Sequence, residues 1–472
     1  MRDERMNYQL LSNYVTSTED NVYAIKNVPS EVAGTVFAKV SRSPKGFRDN
    51  LYDLIKEDML QLPDIDMISM FKNSTAHAGG FMKKWGVDYG HSSIKEHAFA
   101  QFCIEGVSRW FTEALETVQS AKWLSFTEFS LRYQKPEGVV TPKELDEHPE
   151  LKEAYEAFAK QCFVYYESLV PLFVSIIKEK NKELSDSAVE KLAYENARNV
   201  LPLSTKANVA ITGNARAISD AISELLAHEG FNQEFVETAE KIKKHTTEVL
   251  PSLISHTEAT AYLKSMIANF YERKTQENGY PIYNGPFVER EEDSLALFFD
   301  KSKDLTLGDP SLMNRFSELP EVMRAYGKKI GVTCSEACHH QMIRHRAFDF
   351  QIQLPDTNYG MILPKEAVEA IGQKEGDQII DILVSMGKRS QELYEEFVAK
   401  GLGSVAPYVV LNLNARRLPF YANMYGLSHF ITLRKEEYAQ DEIRSVASQL
   451  EDVFQDMENS LTHFKFDRHL DK

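Results

Sequence analysis

The sequence predicts an α+β protein made of two related domains in tandem. The same order of helical and extended segments occurs twice along the chain, and a stretch rich in turn residues and charge, between residues 258 and 292, separates the two occurrences. With 472 residues, 43% hydrophobic and 26% charged, the chain has a globular composition and length for about three average domains. Two long domains, 1–270 and 271–472, are expected.

Amphipathic segments define the first half. Apolar residues recur at helical spacing over residues 149–184, and Ser187-Ala-Val-Glu190 has the form of a capping box that opens a second helix. A third helix is predicted from near Asn214 to Gly230, and a fourth over residues 232–255.

The second half repeats this order. A helix over residues 377–400 ends at Gly401, and the segment 406–410 follows it. A further stretch, 418–433, leads into a long amphipathic helix predicted from Lys435 to about residue 464. We interpret the two halves as a diverged internal duplication.

Charge and cysteine content restrict the partners and the compartment. The net charge of −16 repels nucleic acid, and neither nucleic acid nor a membrane is expected as a partner. The longest apolar stretch, residues 169–177, has about half the length that a bilayer requires, and no secretory segment opens the chain, so a cytoplasmic protein is expected. Four scattered cysteines predict reduced thiols rather than a disulfide framework.

The strongest local signal is the basic segment His339-His-Gln-Met-Ile-Arg-His-Arg346. Guanidinium groups donate planar, bidentate hydrogen bonds to phosphate, so this segment suits a phosphorylated ligand. A solvated helix face with internal salt bridges is the structural alternative. Cys334 and Cys338, four residues apart on one predicted helix face, are interpreted as core residues rather than zinc ligands, because no second pair accompanies them. No metal site is predicted.

Two segments of the first half carry further candidate residues. Glu128, Ser130 and Arg132 alternate with period two, so an extended backbone would point all three to one side, where they could bind an anion and a polar ring. A half-buried strand with a polar outer face explains the same pattern. Upstream, His91-Ser-Ser-Ile-Lys-Glu-His97 has the form of a capped helix start, with Ser92 or Ser93 as the cap.

Taken together, these residues resemble the flavin-dependent thymidylate synthases. That family carries an Arg-His-Arg triplet followed after seven residues by Ser-x-Arg, an upstream His-x-Ser/Thr-x-x-Glu-His segment and a downstream Ala-Arg-x-Val-Leu-Pro segment. The second half keeps the triplet as Arg344-His-Arg346, but Leu354 and Asp356 replace the Ser and Arg that should follow. The first half keeps Ser130 and Arg132, but its triplet has become Ser120-Ala-Lys122. The losses in the two halves are complementary.

The resemblance implies a fold, a reaction and a set of site residues. The fold is α+β, with two diverged flavin-dependent thymidylate synthase-like domains, of which 1–270 keeps the nucleotide-binding loop and 271–472 keeps the flavin triplet. The reaction is transfer of a one-carbon unit from methylenetetrahydrofolate to C5 of dUMP, with NADPH as reductant and FAD as the bound cofactor. Cofactor-binding residues are His91, Ser93, Glu96, Asn214, Arg216, Arg344, His345 and Arg346. Substrate-binding residues are Glu128, Ser130, Arg132, Arg198, Gln341 and Arg434, and the catalytic residues are Arg434 and Arg344.

Because family members are homotetramers with active sites between subunits, the resemblance also implies a homodimer of the fused chain, with composite sites shared by the two domains. Two alternatives stay open at the level of sequence. One is a flavoenzyme that modifies another pyrimidine nucleotide at C5, and the other is a noncatalytic nucleotide-binding protein of the same fold.

Overall fold

The computed structural model describes residues 8–19, 24–28, 30, 32–33, 36, 48–53, 92–128, 130–131, 135–271, 280–290, 327–437 and 439–460. The strands are β1 (Phe99–Ser108), β2 (Leu124–Glu128), β3 (Lys206–Asn214), β4 (Ile282–Tyr283), β5 (Phe287–Arg290), β6 (Gly327–Ser335), β7 (Phe348–Phe350), β8 (Met361–Ile362) and β9 (Ala415–Asn423). The helices are α1 (Tyr8–Leu11), α2 (Arg109–Thr117), α3 (Pro149–Lys180), α4 (Asp186–Ala197), α5 (Ala215–Leu226), α6 (Gln233–Val249), α7 (Ala261–Tyr271), α8 (Glu336–Met342), α9 (Lys365–Glu369), α10 (Lys374–Ala399), α11 (Met424–Arg434) and α12 (Asp441–Ser460).

The sheets of the two halves have the same strand order. In the first half the order is β1-β3-β2, and in the second it is β5-β6-β9-β7. Strands β6 and β9 pair antiparallel along their whole length, from Gly327 opposite Asn423 to Ser335 opposite Ala415. Strand β9 lies between β6 and β7 just as β3 lies between β1 and β2. Strand β5 adds an edge to the second sheet, and within the described part of the first half no strand corresponds to it. This agreement confirms the predicted tandem of mixed α and β domains.

The helix that follows the first long strand begins in the same way in both halves. The Ser108 hydroxyl accepts a hydrogen bond from the backbone N–H of Phe111 at 2.9 Å, and the Ser335 hydroxyl accepts one from Cys338 at 3.1 Å. Such caps satisfy backbone donors that a helix start leaves unpaired. The next N–H groups also have equivalent partners, since Arg109 donates to Thr205 and Glu336 to Asn414. Helices α2 and α8 are therefore equivalent elements of the duplication.

The chain divides into two compact units that do not follow the two halves of the sequence. Unit 1 comprises residues 1–105, 117–128 and 208–269, and unit 2 comprises residues 106–116, 129–207 and 270–472. Within unit 2, α3 packs against α10. The backbone also joins the two halves there, because Leu203 N–H donates to the Val410 carbonyl at 2.8 Å and Asn412 N–H donates to Leu201 at 3.0 Å. The domain boundary at residue 270 stays a prediction about the duplication.

The hydrophobic core around the second sheet follows from period-two burial. In β9, Leu418, Phe420 and Ala422 are buried and the residues between them are partly exposed, as expected for a strand with one covered face. One cluster joins this face to the apolar sides of α8, α11 and α12, and its members include Ile330, Val332, Cys334, Cys338, Met342, Leu418, Phe420, Leu427, Phe430, Ile443, Val446 and Leu450. Both cysteines are core residues, but Cys334 lies in β6 rather than on a helix.

Helix limits differ from the predictions at several points. The cap of α4 is Ser185, whose side chain accepts from the Ala188 N–H, rather than Ser187. The predicted stretch 418–433 is the end of β9 followed by α11, because its first residues alternate with strand rather than helix periodicity. The last helix begins at Asp441 instead of Lys435. No helix within the described ranges is long and apolar enough to cross a membrane.

Candidate active site

The basic triplet lies in unit 2, in the turn that leads from α8 to β7. Its three residues have different surroundings. Arg344 is 28% exposed and forms an ion pair with Glu116 at 2.9 Å, whereas His345 is buried and Arg346 is exposed. His339 and His340, which precede the triplet, are buried as well. The interpretation of this segment as a solvated helix face is therefore wrong: its histidines are interior groups, Gln341 and Arg344 are partly exposed, and Arg346 is exposed.

His345 forms a hydrogen bond with the arginine predicted to act on the uracil ring. Arg434, the last residue of α11, donates from Nε to His345 Nε2 at 2.8 Å. The imidazole also packs against the ring of Phe430, with centroids 4.7 Å apart. Burial, reinforced by the positive charge of Arg434 and by His429, lowers the pKa of His345 to about 3. At neutral pH His345 is thus uncharged, with Nε2 as acceptor and its proton on Nδ1.

Gln341 lies on the last turn of α8, close to the triplet. Its amide nitrogen donates to the Ala337 carbonyl at 3.3 Å and also contacts the side-chain oxygen of Gln440. Both contacts lie in unit 2, so Gln341 shares its compact unit with Arg344, His345 and Arg434.

A buried charge cluster adjoins the triplet. Arg416 of β9 contacts Glu113 of α2 and reaches Glu336 at 3.0 Å, while His340 Nε2 lies 3.3 Å from Glu113. Glu113, Glu336 and His339 are close enough together to hold a metal ion, but the Arg416 guanidinium lies among them and supplies the positive charge.

The pKa shifts in this cluster follow from burial. Desolvation is the largest cause and raises the pKa of Glu336, the Glu113 carboxylate raises it as well, and the charge of Arg416 opposes both. Burial would lower the pKa of Arg416, but the charges of Glu113 and Glu336 outweigh it and raise that pKa. Opposite charges therefore face each other in the interior.

Sequence reasoning missed Glu113, Glu116 and Arg416. The available signal was local: the two glutamates lie three residues apart on α2 and share its buried face with Trp110, Phe111 and Leu115, although Arg109 and Thr112 are buried there as well. Acidic groups on the covered face of a helix require a partner. The partner itself had no local signal, because Arg416 lies 303 residues from Glu113 in the chain.

The first-half candidates Glu96, Asn214 and Arg216 come together in unit 1. They line a cleft of about 810 Å³. Further residues that line it are Ser120, Trp123, Asp220, Glu224 and Glu258. Arg216 Nη1 bonds Glu96 Oε1 at 2.6 Å. Asn214 Oδ1 accepts from the Ala217 N–H at 2.9 Å and so caps α5.

Ser120, at the first triplet position of this half, is buried and donates its hydroxyl hydrogen bond to the Ala217 carbonyl at 2.9 Å. A serine hydroxyl carries no charge, so this position cannot bind a phosphate as an arginine does. The loss of flavin binding in the first half stays a prediction.

The remaining predicted residues are placed as follows. Glu128 is the last residue of β2 and lies opposite Val209, and Ser130 is half-buried beyond the end of that strand. Arg198 is buried at the start of a 3-10 helix, Arg198–Val200. Burial raises the pKa of Glu442, whereas hydrogen bonds from Ser335 and the positive charge of Arg198 lower it. Ser93 lies in the 3-10 helix Ser92–His97, while His91 and Arg132 fall outside the described residues.

The fold is an α+β domain that is present twice. The family model described as "Thymidylate synthase complementing protein" matches residues 35–252 and 320–457, about three quarters of the chain. The chain belongs to this family, and one matched segment falls in each half. The predicted resemblance to flavin-dependent thymidylate synthases is confirmed.

Individual relatives are similar to different parts of the chain. A flavin-dependent thymidylate synthase of Mycobacterium marinum is 32% identical over 190 residues, which is 39% of this chain and 72% of the relative. A UPF0159 protein of Chlamydia pneumoniae is 23% identical over 499 residues, which is 94% of this chain and 90% of the relative. Among solved structures, the Helicobacter pylori flavin dependent thymidylate synthase complexed with FAD and dUMP is similar to 47% of this chain and 93% of its own, at 15% identity and a TM-score of 0.28.

Proposed function

We propose that the protein methylates dUMP at C5 to give dTMP, using methylenetetrahydrofolate as the one-carbon donor, NADPH as the reductant and FAD as the bound cofactor. The proposal further makes the protein a homodimer that works in the cytoplasm, with composite active sites. The observation that carries it is the contact of Arg434 with His345 inside the intact triplet, in a chain that belongs to the thymidylate synthase complementing family.

The residues of the triplet suit an anionic flavin nucleotide. Arg344 and Arg346 reach the surface and provide fixed positive charge, while burial keeps the imidazole between them neutral. A pair of guanidinium groups on either side of an uncharged ring matches a ligand with phosphates and a flat, polar ring system. When bound, FAD would supply the electrons that reduce the transferred carbon. Ser93, Glu96, His91, Asn214 and Arg216 are proposed to complete the cofactor site.

Arg434 is the proposed catalytic group toward the uracil ring. Addition at C5 places negative charge on the ring, and a fixed guanidinium in a site with little water stabilises such charge strongly. The bond from Arg434 Nε to His345 fixes the plane of the guanidinium before substrate binds. Because the imidazole is neutral, it accepts this bond without repelling the arginine. Arg344 is proposed as the second catalytic residue, at the flavin.

The nucleotide phosphate is assigned to the first half. Ser130, Arg132 and Arg198 are the proposed ligands, with Glu128 and Gln341 near the ring. The complementary losses support a division of labour, because Ser120 occupies the position of the first triplet arginine, and Leu354 and Asp356 occupy the positions of the phosphate ligands in the second half. Each site would then combine one contribution from each domain.

The visible spectrum of the purified protein and release of tritium from C5-labelled dUMP test the proposal. The protein should be yellow or bind added FAD, and it should release tritium only with methylenetetrahydrofolate and NADPH present, since substitution at C5 expels that hydrogen. A colourless protein that ignores FAD would contradict the proposal. Flavin binding without tritium release from dUMP, but with release from another uracil nucleotide, would reassign the substrate.

A further inference from the structure

Glu116 and Arg344 form an ion pair between the two halves of the chain. Glu116 lies in the last turn of α2, and its side chain is only 3% exposed, while Arg344 of the triplet is 28% exposed. Arg344 Nη2 and Glu116 Oε1 are 2.9 Å apart, and both residues belong to unit 2. A buried carboxylate is strongly unfavourable without a positive partner, so this pair constrains the arginine as well as the glutamate.

The duplication provides an internal comparison for this pair. Counted from the equivalent caps Ser108 and Ser335, the position of Glu116 on α2 corresponds to Ile343, the residue directly after α8. The first triplet position, Arg344, corresponds to Ser120, because the segment between the cap and the triplet is three residues longer in the first half. The equivalent pair would therefore be Ser120 with Ile343, in which neither partner can carry charge. Both members of the ion pair are present at one place and both are absent at its counterpart.

This joint presence and absence links Glu116 to the triplet arginine, because a buried carboxylate at the counterpart position would have no triplet arginine to pair with. The neighbouring Glu113 pairs with Arg416 and His340. Glu116 instead pairs with the first arginine of the intact triplet, which belongs to the second half of the chain. The first half, to which Glu116 belongs, has no intact triplet.

We propose that Glu116 is a positioning residue, which the first domain contributes to the flavin site of the second by fixing the guanidinium plane of Arg344. This inference rests on the proposed function, because it assigns Arg344 to the flavin. The charge of the Glu116 carboxylate, 2.9 Å from Nη2, holds one end of the guanidinium and so restricts the direction of the remaining N–H groups. It places one element of each composite site on α2, a helix that no sequence motif of the site includes.

The test is a double-mutant cycle on the full-length protein, with the dissociation constant of FAD as readout. Glu116→Gln and Arg344→Gln should each weaken FAD binding about tenfold, and the double variant should be no weaker than Arg344→Gln alone, since contacting residues are not additive. Glu116→Asp keeps the charge but shortens the side chain, so it should lie between wild type and Glu116→Gln. Urea unfolding curves of all variants report the structural cost separately.

The matched control is Glu289→Gln. Glu289 pairs with Arg417 at 2.6 Å in the same unit, but on an edge strand away from the triplet, and both side chains are about two fifths exposed. This variant should bind FAD as wild type does. If Glu116→Gln does not fold, Glu116→Asp and its pairing with Arg344→Lys carry the test.

The outcomes separate the two proposals. A wild-type protein that does not bind FAD overturns the proposed function and the role of Glu116 with it. A wild type that binds FAD, with unchanged affinity in the folded Glu116 variants, overturns only the positioning role. Additive losses in the double variant would also overturn it, because they would show that Glu116 acts independently of Arg344.

Discussion

Replacing His345 by Gln tests whether the triplet histidine is a buried, neutral group. The pKa of His345 is about 3 in the folded protein, because of burial and the charge of Arg434, against an ordinary value near 6.5. Between these two values the unfolded chain binds a proton that the folded chain does not. The contribution of His345 to stability is therefore complete above about pH 6.5 and is lost as the pH falls toward 3.

The size of the effect follows from linkage. At pH 5 the unfolded histidine lies about 1.5 pH units below its pKa, so its protonation lowers the free energy of unfolding by about 2 kcal/mol relative to pH 8. Glutamine cannot titrate, yet its side-chain oxygen can accept from Arg434 as Nε2 does. On going from pH 8 to pH 5, the His345→Gln variant should lose about 2 kcal/mol less stability than wild type.

Urea unfolding at several pH values, followed by the fluorescence of Trp110, measures this difference. Trp110 is buried in α2 and belongs to unit 2, as His345 does, so its signal follows the relevant unit. The control is His228→Gln in unit 1, where burial also lowers the pKa of the histidine to about 3. His228→Gln should leave FAD affinity unchanged, whereas His345→Gln should weaken it. Parallel pH profiles for wild type and His345→Gln would refute the buried neutral imidazole.

Three further predictions concern the ligands and the assembly. Replacing Arg344 and Arg346 together by Ala removes two charged contacts of about 1.5 to 3 kcal/mol each, so the double variant should be colourless and show no FAD binding by titration; a yellow variant would contradict the assignment of the triplet. Arg132→Ala should weaken dUMP binding in calorimetry while FAD stays bound, and Arg346→Ala should do the reverse; identical effects on both ligands would argue against divided roles. Light scattering should give a mass near twice the 53.9 kDa chain, consistent with closed two-fold symmetry, and a monomer at micromolar concentration would count against it.

The elements of the fold were largely predictable because their signals are local. Helical periodicity located α3, whose buried residues recur at the predicted spacing, and Gly401 ends the segment after α10 in a left-handed conformation with φ of 79°. Asn214 caps α5 as the sequence indicates. The sequence assigns no single structure to residues 418–433, since a strand followed directly by a helix gives a continuous apolar segment whose two periods must be separated.

The division into compact units was not predictable in this way. It depends on contacts between residues far apart in sequence, such as the backbone bonds that join Leu201 and Leu203 to the equivalent segment of the second half. These bonds come in a nearly symmetric pair, in which Leu203 donates to Val410 and Asn412 donates to Leu201. In the sequence, each half shows only a short extended segment after a 3-10 turn. Nothing local indicates that this segment pairs with the equivalent segment of the other half.

The buried charges extend this argument to the chemistry of the site. When two identical subunits associate symmetrically, a buried glutamate of one subunit pairs with an arginine of the other, so each ion pair of this kind occurs twice. Fusion removes that requirement. Here α2 carries Glu113 and Glu116, while the partners Arg416 and Arg344 belong to the other half, so the two copies can no longer exchange places without burying unpaired charge. Asymmetric ion pairs of this kind favour one pairing of the two halves over the reverse, and under the proposed composite sites each half is then free to lose binding groups that the other keeps.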